Sequence, residues 1–474
     1  MKTPIIDGLM KYIMEENVRF HMPGHKGKEA LLNWRNLIPQ IDVTEVDGTD
    51  NLHNPESIIL KSQELAANTF GAKNTFYSIN GTTGGIYGSI GAITKPGDTV
   101  LIQRNCHRSV YNAVIFNQLN SEYIYPVYNK EWNILTGVLA EDIEKKIKNN
   151  LDIKAIIITN PSYYGICSNI QEIAKVVHKY NKILIVDEAH GSHFNFSNNL
   201  PVTAIEAGAD ICIQSTHKTL PAFTQASMVH VGTNRVDNYR LRKMISMYQT
   251  TSPSYILMAS LDMARAYMEE KGKINLEKMI RKIGVTTTHL KGLDRVKIFD
   301  QERINYKDIY DFDTMKILFQ IEGISGSSVE KILRKKYNVQ LEMSDSFYGV
   351  ALCSVMDTEE DIDKLADAIE NISELEADGN HNTKISTKIS NILPNVNMSL
   401  HDAFNRSKKT IRLSEAKGEV SGSFLIPYPP GIPILCPGEI ITEEIITYIQ
   451  FLRSNNIQIL GYKDNNLENI ETIR

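Results

Sequence analysis

Short runs of branched apolar residues punctuate the first half of the chain, and each stops at a cluster of small, polar or charged residues. The run at 183–186, Ile-Leu-Ile-Val, ends at Asp187-Glu188-Ala189-His190-Gly191. The run at 211–213 ends at Gln214-Ser215-Thr216-His217-Lys218, the strand 99–102 leads to Arg104-Asn105-Cys106-His107-Arg108, and the strand 154–159 leads to the loop 160–165. Residues 75–79 run into Asn80-Gly81-Thr82-Thr83-Gly84-Gly85. Apolar runs without polar alternation predict strands buried on both faces, as in a parallel sheet. Helical periodicity at 56–70, 86–93, 140–149 and 170–180 supplies the crossovers. This alternation predicts an α/β fold with right-handed connections, so that five strand ends converge on one edge.

The flanking parts read differently. Residues 5–17 predict an amphipathic helix, followed by the loop Arg19-Phe20-His21-Met22-Pro23-Gly24-His25-Lys26-Gly27. That loop reads either as an ordered surface loop or as an arm reaching an active site, in this subunit or a partner. An acidic, turn-rich stretch spans 42–56. A long helix is expected at 255–272. Strands at 316–321, 338–343 and 348–355, with helices at 327–337 and 358–373, predict a second α/β unit, and Thr358 with Asp361 outlines a capping box. A polar, low-complexity linker follows. Helices at 400–406 and 442–454 flank a proline-rich stretch, 424–439, whose extended path cannot be a central strand. The expected division is an N-terminal helix and arm (1–55), a large domain (56–272), a small α/β domain (273–375), a linker (376–395) and a C-terminal segment (396–474).

Bulk numbers narrow the function classes. The 474 residues exceed one hydrophobic core, and 42% hydrophobic with 23% charged residues suits a globular protein. A net charge of −5 argues against nucleic acid or an anionic membrane as the main partner. Five scattered cysteines without a CxxC pair argue against disulfides and a structural zinc site, and for a reducing compartment. With no signal-like leader and no membrane-length apolar run, a cytoplasmic location is expected, and no metal site.

The strand ends carry the candidate chemistry. Lys218, just past a strand and flanked by Ser215, Thr216 and His217, suits a Schiff base to pyridoxal phosphate. Taken alone, the stretch reads more readily as an ordinary strand exit with a solvated lysine. Asp187 changes that balance, because a carboxylate at the neighbouring strand end could keep a pyridine nitrogen protonated. Gly81, Thr82 and Thr83 lie in the loop that leads into the helix at 86–93, and such a turn can cup a phosphate with backbone N–H groups, hydroxyls and the helix dipole. His107 stands where an imidazole could lie on a flat cofactor.

Eight short motifs in order carry a family resemblance: His21-Met-Pro-Gly-His-Lys, Asp50-Asn-Leu-His-Asn-Pro, Asn80-Gly-Thr-Thr-Gly, Arg104-Asn-Cys-His-Arg-Ser, Val186-Asp-Glu-Ala-His-Gly, Ser215-Thr-His-Lys, Thr251-Ser-Pro-Ser-Tyr and Pro427-Tyr-Pro-Pro-Gly-Ile-Pro. Across nearly its whole length the chain resembles the pyridoxal-phosphate-dependent ornithine/lysine/arginine decarboxylases of fold type I, in their short bacterial form. The resemblance implies an aminotransferase-like large domain with a smaller C-terminal α/β domain. Lys218 is then the cofactor lysine, Asp187 the partner of the pyridine nitrogen, and His107 the stacking ring. Thr82, Thr83, Ser215 and His217 hold the phosphate, His190 lines the cofactor, and Lys218 or His217 returns a proton to Cα. It also implies a homodimer or larger assembly with the site between subunits, where Thr251 and Ser252 reach the partner's phosphate.

The implied substrate is a basic amino acid, with arginine first, lysine second and ornithine third. His25 and the acids Asp47, Asp50, Glu415 and Glu439 are candidates to meet it. Pro221, close after Lys218, departs from many relatives. Two other classes stay open: a related oxidase or lyase acting on a basic amino acid, and a catalytically silent scaffold.

Overall fold

The computed structural model describes residues 4–28, 34–300, 302, 307–375, 394–428, 431–454, 457–462 and 468–474. Most of the expected linker, 376–393, lies outside the described residues. Seven strands form the central sheet: β1 (Asn74–Ser78), β2 (Thr99–Gln103), β3 (Asn120–Ile124), β4 (Ile153–Thr159), β5 (Ile183–Asp187), β6 (Ile211–Gln214) and β7 (Ser227–Val231). Their order is β1-β7-β6-β5-β4-β2-β3. Neighbours from β6 to β3 are parallel, whereas β7 is antiparallel to β6 and β1. Six strands therefore point the same way and finish on one edge.

Alternate residues of the apolar runs feed two cores. Ile102, Ala155, Ile157, Ile185 and Ile213 face one. Leu101, Ile156, Ile158, Leu184 and Val186 face the other. Burial on both faces is why these strands lack polar alternation. β3 and β7 lack that signature and do not stand out in the pattern. β3 is an edge strand with Asn120, Ser121 and Glu122 at its start, and β7 carries a polar residue, His230, in its middle. Buried His230 is accommodated by Thr75 Oγ1 at 2.8 Å and Gln214 Oε1 at 3.2 Å.

The helix expected to stop at 272 does not. Tyr255–Tyr267 passes through a π-turn, Met268–Gly272, into a helix that ends at Lys291. Gly272 suggests a terminus, but the buried stripe Leu276, Met279, Ile283 and Leu290 keeps the chain helical. The long helix leads to an antiparallel sheet of Val296–Ile298, Lys316–Ile321, Gly349–Leu352 and Met343–Ser344. The helices Gly326–Tyr337 and Glu359–Leu375 accompany it. The capping box forms: Thr358 N–H donates to Asp361 Oδ2 at 2.9 Å, and Asp361 N–H donates to Thr358 Oγ1 at 3.2 Å.

The N-terminal strand Val18–Phe20 pairs in parallel with Val339–Leu341. The C-terminal segment has its own core, including Leu413, Leu425, Leu435, Ile445 and Ile449. Within the proline-rich stretch, Ile426–Tyr428 pairs with Gln458–Leu460 in a two-stranded ladder, as proline requires. One buried ion pair stitches this segment to the exit of β2. Arg104 donates through Nε and Nη2 to the two carboxylate oxygens of Glu439, at 3.0 and 2.8 Å. Its Nη1 donates to the carbonyl of Pro433 at 2.7 Å.

Removing one partner of such a pair strands a buried charge. Glu439→Ala is expected to cost about 3–5 kcal/mol, measured as a shift in the denaturant midpoint. A loss below about 1 kcal/mol would show that the pair is dispensable.

Candidate active site

The site lies on the strand-end edge of the central sheet. Asp187 closes β5, facing Thr159 of β4 and Ile213 of β6 in register. Lys218 lies in the single turn Thr216–Thr219 after β6. Its Nζ donates to Nε2 of buried His190, 3.1 Å away. Burial pushes the Lys218 amine down from its ordinary value, against the charges of Asp187 and Glu342. Burial likewise pushes the Asp187 carboxyl up, opposed by Lys218 and by the Ala189 N–H that donates to Oδ1 at 3.2 Å. A desolvated amine next to one fixed carboxylate has the character of a nucleophilic lysine.

A second layer sits behind Asp187. Glu188 is buried, with Oε1 accepting from Ala204 N–H at 2.7 Å and Oε2 from Gln214 Nε2 at 2.7 Å. Burial raises its carboxyl to about 7, although these donors oppose the shift. Gln214 reaches on to His230, so the three residues brace the ends of β5, β6 and β7.

The expected phosphate cup starts one turn earlier than the pattern implies. The helix is Gly81–Ile93, so Thr82 and Thr83 lie in its first turn. Ser215 Oγ donates to Thr82 Oγ1 at 3.2 Å, joining the loop before Lys218 to that helix. Gly81 is not an N–H donor to this cup: its N–H donates to the Gln225 carbonyl at 2.9 Å. Its φ of +64° is the reason glycine stands there.

His107 caps the next helix, Arg108–Phe116, with Nδ1 accepting from Ser109 N–H at 3.3 Å. Ser109 Oγ lies 2.8 Å from the same nitrogen. The ring faces open space, yet the protein around it, with Lys218 and Arg108, lowers its pKa to about 4. A cavity of about 390 Å³ opens beside it, lined by Thr83, His107, Ser109, Ile426 and Gly431. His217 Nδ1 donates to the Ala226 carbonyl at 2.9 Å, and burial lowers this ring to about 4 as well.

The loop at 21–27 packs within its own chain, against the turn that carries Lys218. Gly24 N–H donates to the His217 carbonyl at 2.8 Å. A Cβ on Gly24 would come within 2.8 Å of the Thr219 and Leu220 backbone, so a larger residue cannot sit there unshifted. Lys26 Nζ donates to the carbonyls of His21 and Leu352, at 2.9 and 2.6 Å, tying the loop to the small sheet. His25 stands edge-on to Phe223, with ring centroids 5.9 Å apart.

The acids proposed for the substrate fare unequally. Asp50 is committed to backbone. Its Oδ1 accepts from Asn51 and Glu56, and its Oδ2 from Ser57 and Ile59, at 2.8–3.0 Å. Against the upward push of burial, these N–H groups hold its pKa down to about 2. Glu439 is consumed by Arg104. Both assignments as head-group acceptors are therefore corrected: four backbone N–H groups occupy the Asp50 oxygens, and the Arg104 guanidinium already neutralises Glu439. Asp47 is exposed, as is Glu415, on the turn Leu413–Glu415. Thr251 and Ser252 are exposed beyond Tyr248 and Gln249, which hold Asn80 and Ile79 at 2.9 and 2.8 Å. Pro221 causes no break in the turn: Ala222 N–H donates to the Leu220 carbonyl at 2.8 Å.

Three side chains near Lys218 were not among the sequence candidates. Tyr163 meets His190 edge-on, with centroids 4.8 Å apart. Glu342 accepts a hydrogen bond from the Tyr163 hydroxyl and another from Met22 N–H, at 2.9 Å. Lys316, at the head of an apolar strand, donates to the Tyr163 carbonyl at 2.8 Å, and burial lowers its amine to about 8. The single signal for the last two was a charge interrupting an apolar or alternating run.

The arrangement has relatives. Residues 3–325 match the model of the Orn/Lys/Arg decarboxylase major domain, and residues 383–467 that of the C-terminal domain. The chain belongs to the Orn/Lys/Arg decarboxylase family. It is 33% identical to arginine decarboxylase of Bacillus subtilis (strain 168), covering 100% of this chain and 98% of that protein. It is 24% identical to lysine decarboxylase LdcA of Pseudomonas aeruginosa over 95% of this chain and 76% of that one. Among solved structures, lysine decarboxylase A from Pseudomonas aeruginosa shares the fold, with a TM-score of 0.79 and 21% identity over 100% of this chain and 76% of that chain. This decarboxylase family and the fold-type-I neighbours imply pyridoxal phosphate as cofactor. The residues fit it: an amine, a buried acid and a hydroxyl-lined helix start converge. Among the described residues, buried His190 Nδ1 and Thr216 Oγ1 have no hydrogen-bond partner, as suits a site shaped for a polar ligand.

In this decarboxylase Glu188 offers a pH test. The folded chain holds its proton up to about pH 7, against 4.5 for the ordinary carboxyl. Its stabilising contribution is fully present below pH 4.5 and is lost as pH rises through 7. Glu188→Gln, permanently neutral, escapes that loss. The melting temperature of Glu188→Gln relative to wild type is expected to climb between pH 4.5 and 7, whatever the offset between them. A pH-independent gap would refute the assignment.

Proposed function

We propose that this enzyme converts L-arginine to agmatine and carbon dioxide, supplying polyamine synthesis in the cytoplasm as a homodimer or larger assembly. The observation that carries the substrate is the full-length likeness, at about a third of positions, to proteins named arginine decarboxylase. The weaker likeness to lysine decarboxylases makes lysine the second substrate to test. Among the described residues no helix is long and apolar enough to cross a membrane.

In this reading the Lys218 amine would hold the cofactor. Thr82, Thr83, Ser215 and the helix start at Gly81 hold the phosphate. His107 bounds the ring face, and Asp187 keeps the pyridine nitrogen protonated. When bound, pyridoxal phosphate supplies an electron sink for the pair left by the departing carboxylate. The chain's share is to fix that carboxylate, exclude water and return a proton to Cα. Lys218 is the donor this reading favours: its Nζ bonds His190, and burial lowers its proton affinity below that of an ordinary lysine. Thr251 and Ser252, exposed in one chain, fit a role toward a neighbouring subunit.

Lys218→Ala is expected to lose the visible absorbance of the lysine-bound cofactor and turnover together. Asp187→Ala is expected to bind cofactor but to lose kcat by about 100-fold or more, as when a charge-stabilising group is removed. The purified enzyme, given arginine, lysine and ornithine separately with and without oxygen, is expected to release carbon dioxide and agmatine fastest from arginine, independent of oxygen. Cadaverine or putrescine as the faster product would change the substrate. Oxygen-dependent keto acid, or no product, would overturn the reaction.

A further inference from the structure

Two carboxylates act on the Lys218 amine: Asp187 and Glu342. Asp187 has a place in the cofactor chemistry, and Glu342 has none. Glu342 sits between the strands Val339–Leu341 and Met343–Ser344, and three remote parts of the chain converge on it. The small sheet supplies its backbone, whose N–H donates to the Val350 carbonyl at 3.0 Å. The loop after β4 supplies the Tyr163 hydroxyl, and the N-terminal loop supplies Met22 N–H.

These bonds are to Oε1 and Oε2 respectively, so the carboxylate is held at both ends. Both donors are neutral, so neither compensates the charge. Each oxygen keeps acceptor capacity, because a carboxylate offers about four lone-pair positions. A carboxylate held so that both oxygens face a partner is the match for a guanidinium fork. Because both oxygens already accept, the group is set up as an acceptor rather than as a proton donor.

Its position suits a substrate side chain. A chain of contacts, Lys218 to His190, His190 to Tyr163 and Tyr163 to Glu342, links the amine to the carboxylate. Glu342 is half-buried, and three other acids are engaged elsewhere: Asp313 with His193, Asp345 with Tyr164, and Glu188 with Gln214. We propose that Glu342 is the specificity residue that takes the cationic head group of the substrate, oriented for it by Tyr163 and Met22. This rests on the decarboxylase reading above and names the acceptor that Asp50 and Glu439 do not supply.

The test compares a substrate with its headless analogue in the cofactor-loaded enzyme. Norvaline has arginine's three side-chain carbons without the guanidinium, and 1-butylamine stands in the same relation to agmatine. Glu342→Gln is expected to lower the arginine-to-norvaline ratio of kcat/KM by about 100-fold, and the agmatine-to-butylamine affinity ratio similarly, with visible cofactor absorbance retained. Tyr163→Phe, which removes the orienting hydroxyl alone, is expected to lower both ratios by about 10-fold and serves if the Gln variant does not fold. Ratios within about threefold of wild type in a folded variant would overturn the proposal; a structural role would depress substrate and analogue alike. If the wild type turns over no basic amino acid, the function fails separately, and the binding ratio decides: no preference for agmatine or cadaverine over butylamine overturns the role of Glu342.

Discussion

The molecule is built around one costly act, the burial of an amine beside a carboxylate at the end of a parallel sheet. In water Lys218 and Asp187 would each keep their charge. Inside, burial drives the amine toward neutrality and the acid toward protonation, and each restrains the other. Such a pair persists where the surroundings are rigid and dry. Strands apolar on both faces, with a core on each side, provide that. They also align backbone ends on one edge, which is where α/β sheets place their ligands.

The supports of that pair are themselves buried polar groups, each satisfied by a neighbour. Glu188 and Gln214 join β5 to β6, and His230 extends the chain to β7 and Thr75. Arg104 and Glu439 pin the C-terminal segment to the exit of β2. None of these groups touches the reacting atoms. They fix the distances between strand ends, which sets how well amine, acid and helix start remain aligned.

The centre of the site was legible because its chemistry and its fold leave the same mark. An apolar run that ends in Asp187, or in Ser215 to Lys218, announces both a buried strand and a reactive terminus. The turn after β1 was legible from its glycines, but the helix begins at Gly81 and not at 86 as the apolar pattern implied. What escaped were features set by tertiary context. Nothing local says that Asp50 would spend its oxygens on four backbone N–H groups, or that Glu439 would meet Arg104 across 335 positions. Gly272 resembles a helix stop, and the stripe beyond it prevails. Glu342 falls within the stretch 338–343 expected as one strand, where an outward polar residue is ordinary, and in the structure it lies at the break between two short strands, held by Tyr163 and Met22.

That division has a consequence for how such a site can vary. The bond-breaking apparatus lies on consecutive strand ends of a single sheet, so a change in one element strains the rest. On the proposal made above for Glu342, the wall facing the substrate is assembled from the N-terminal loop, the loop after β4 and the small sheet, held together by hydrogen bonds such as those of Lys26 and Glu342. An altered residue there changes which cation is accepted while Lys218 and Asp187 stay where they are. A family that handles ornithine, lysine and arginine with one reaction needs such a separation, because the leaving carboxylate is the same in all three and the head group alone differs.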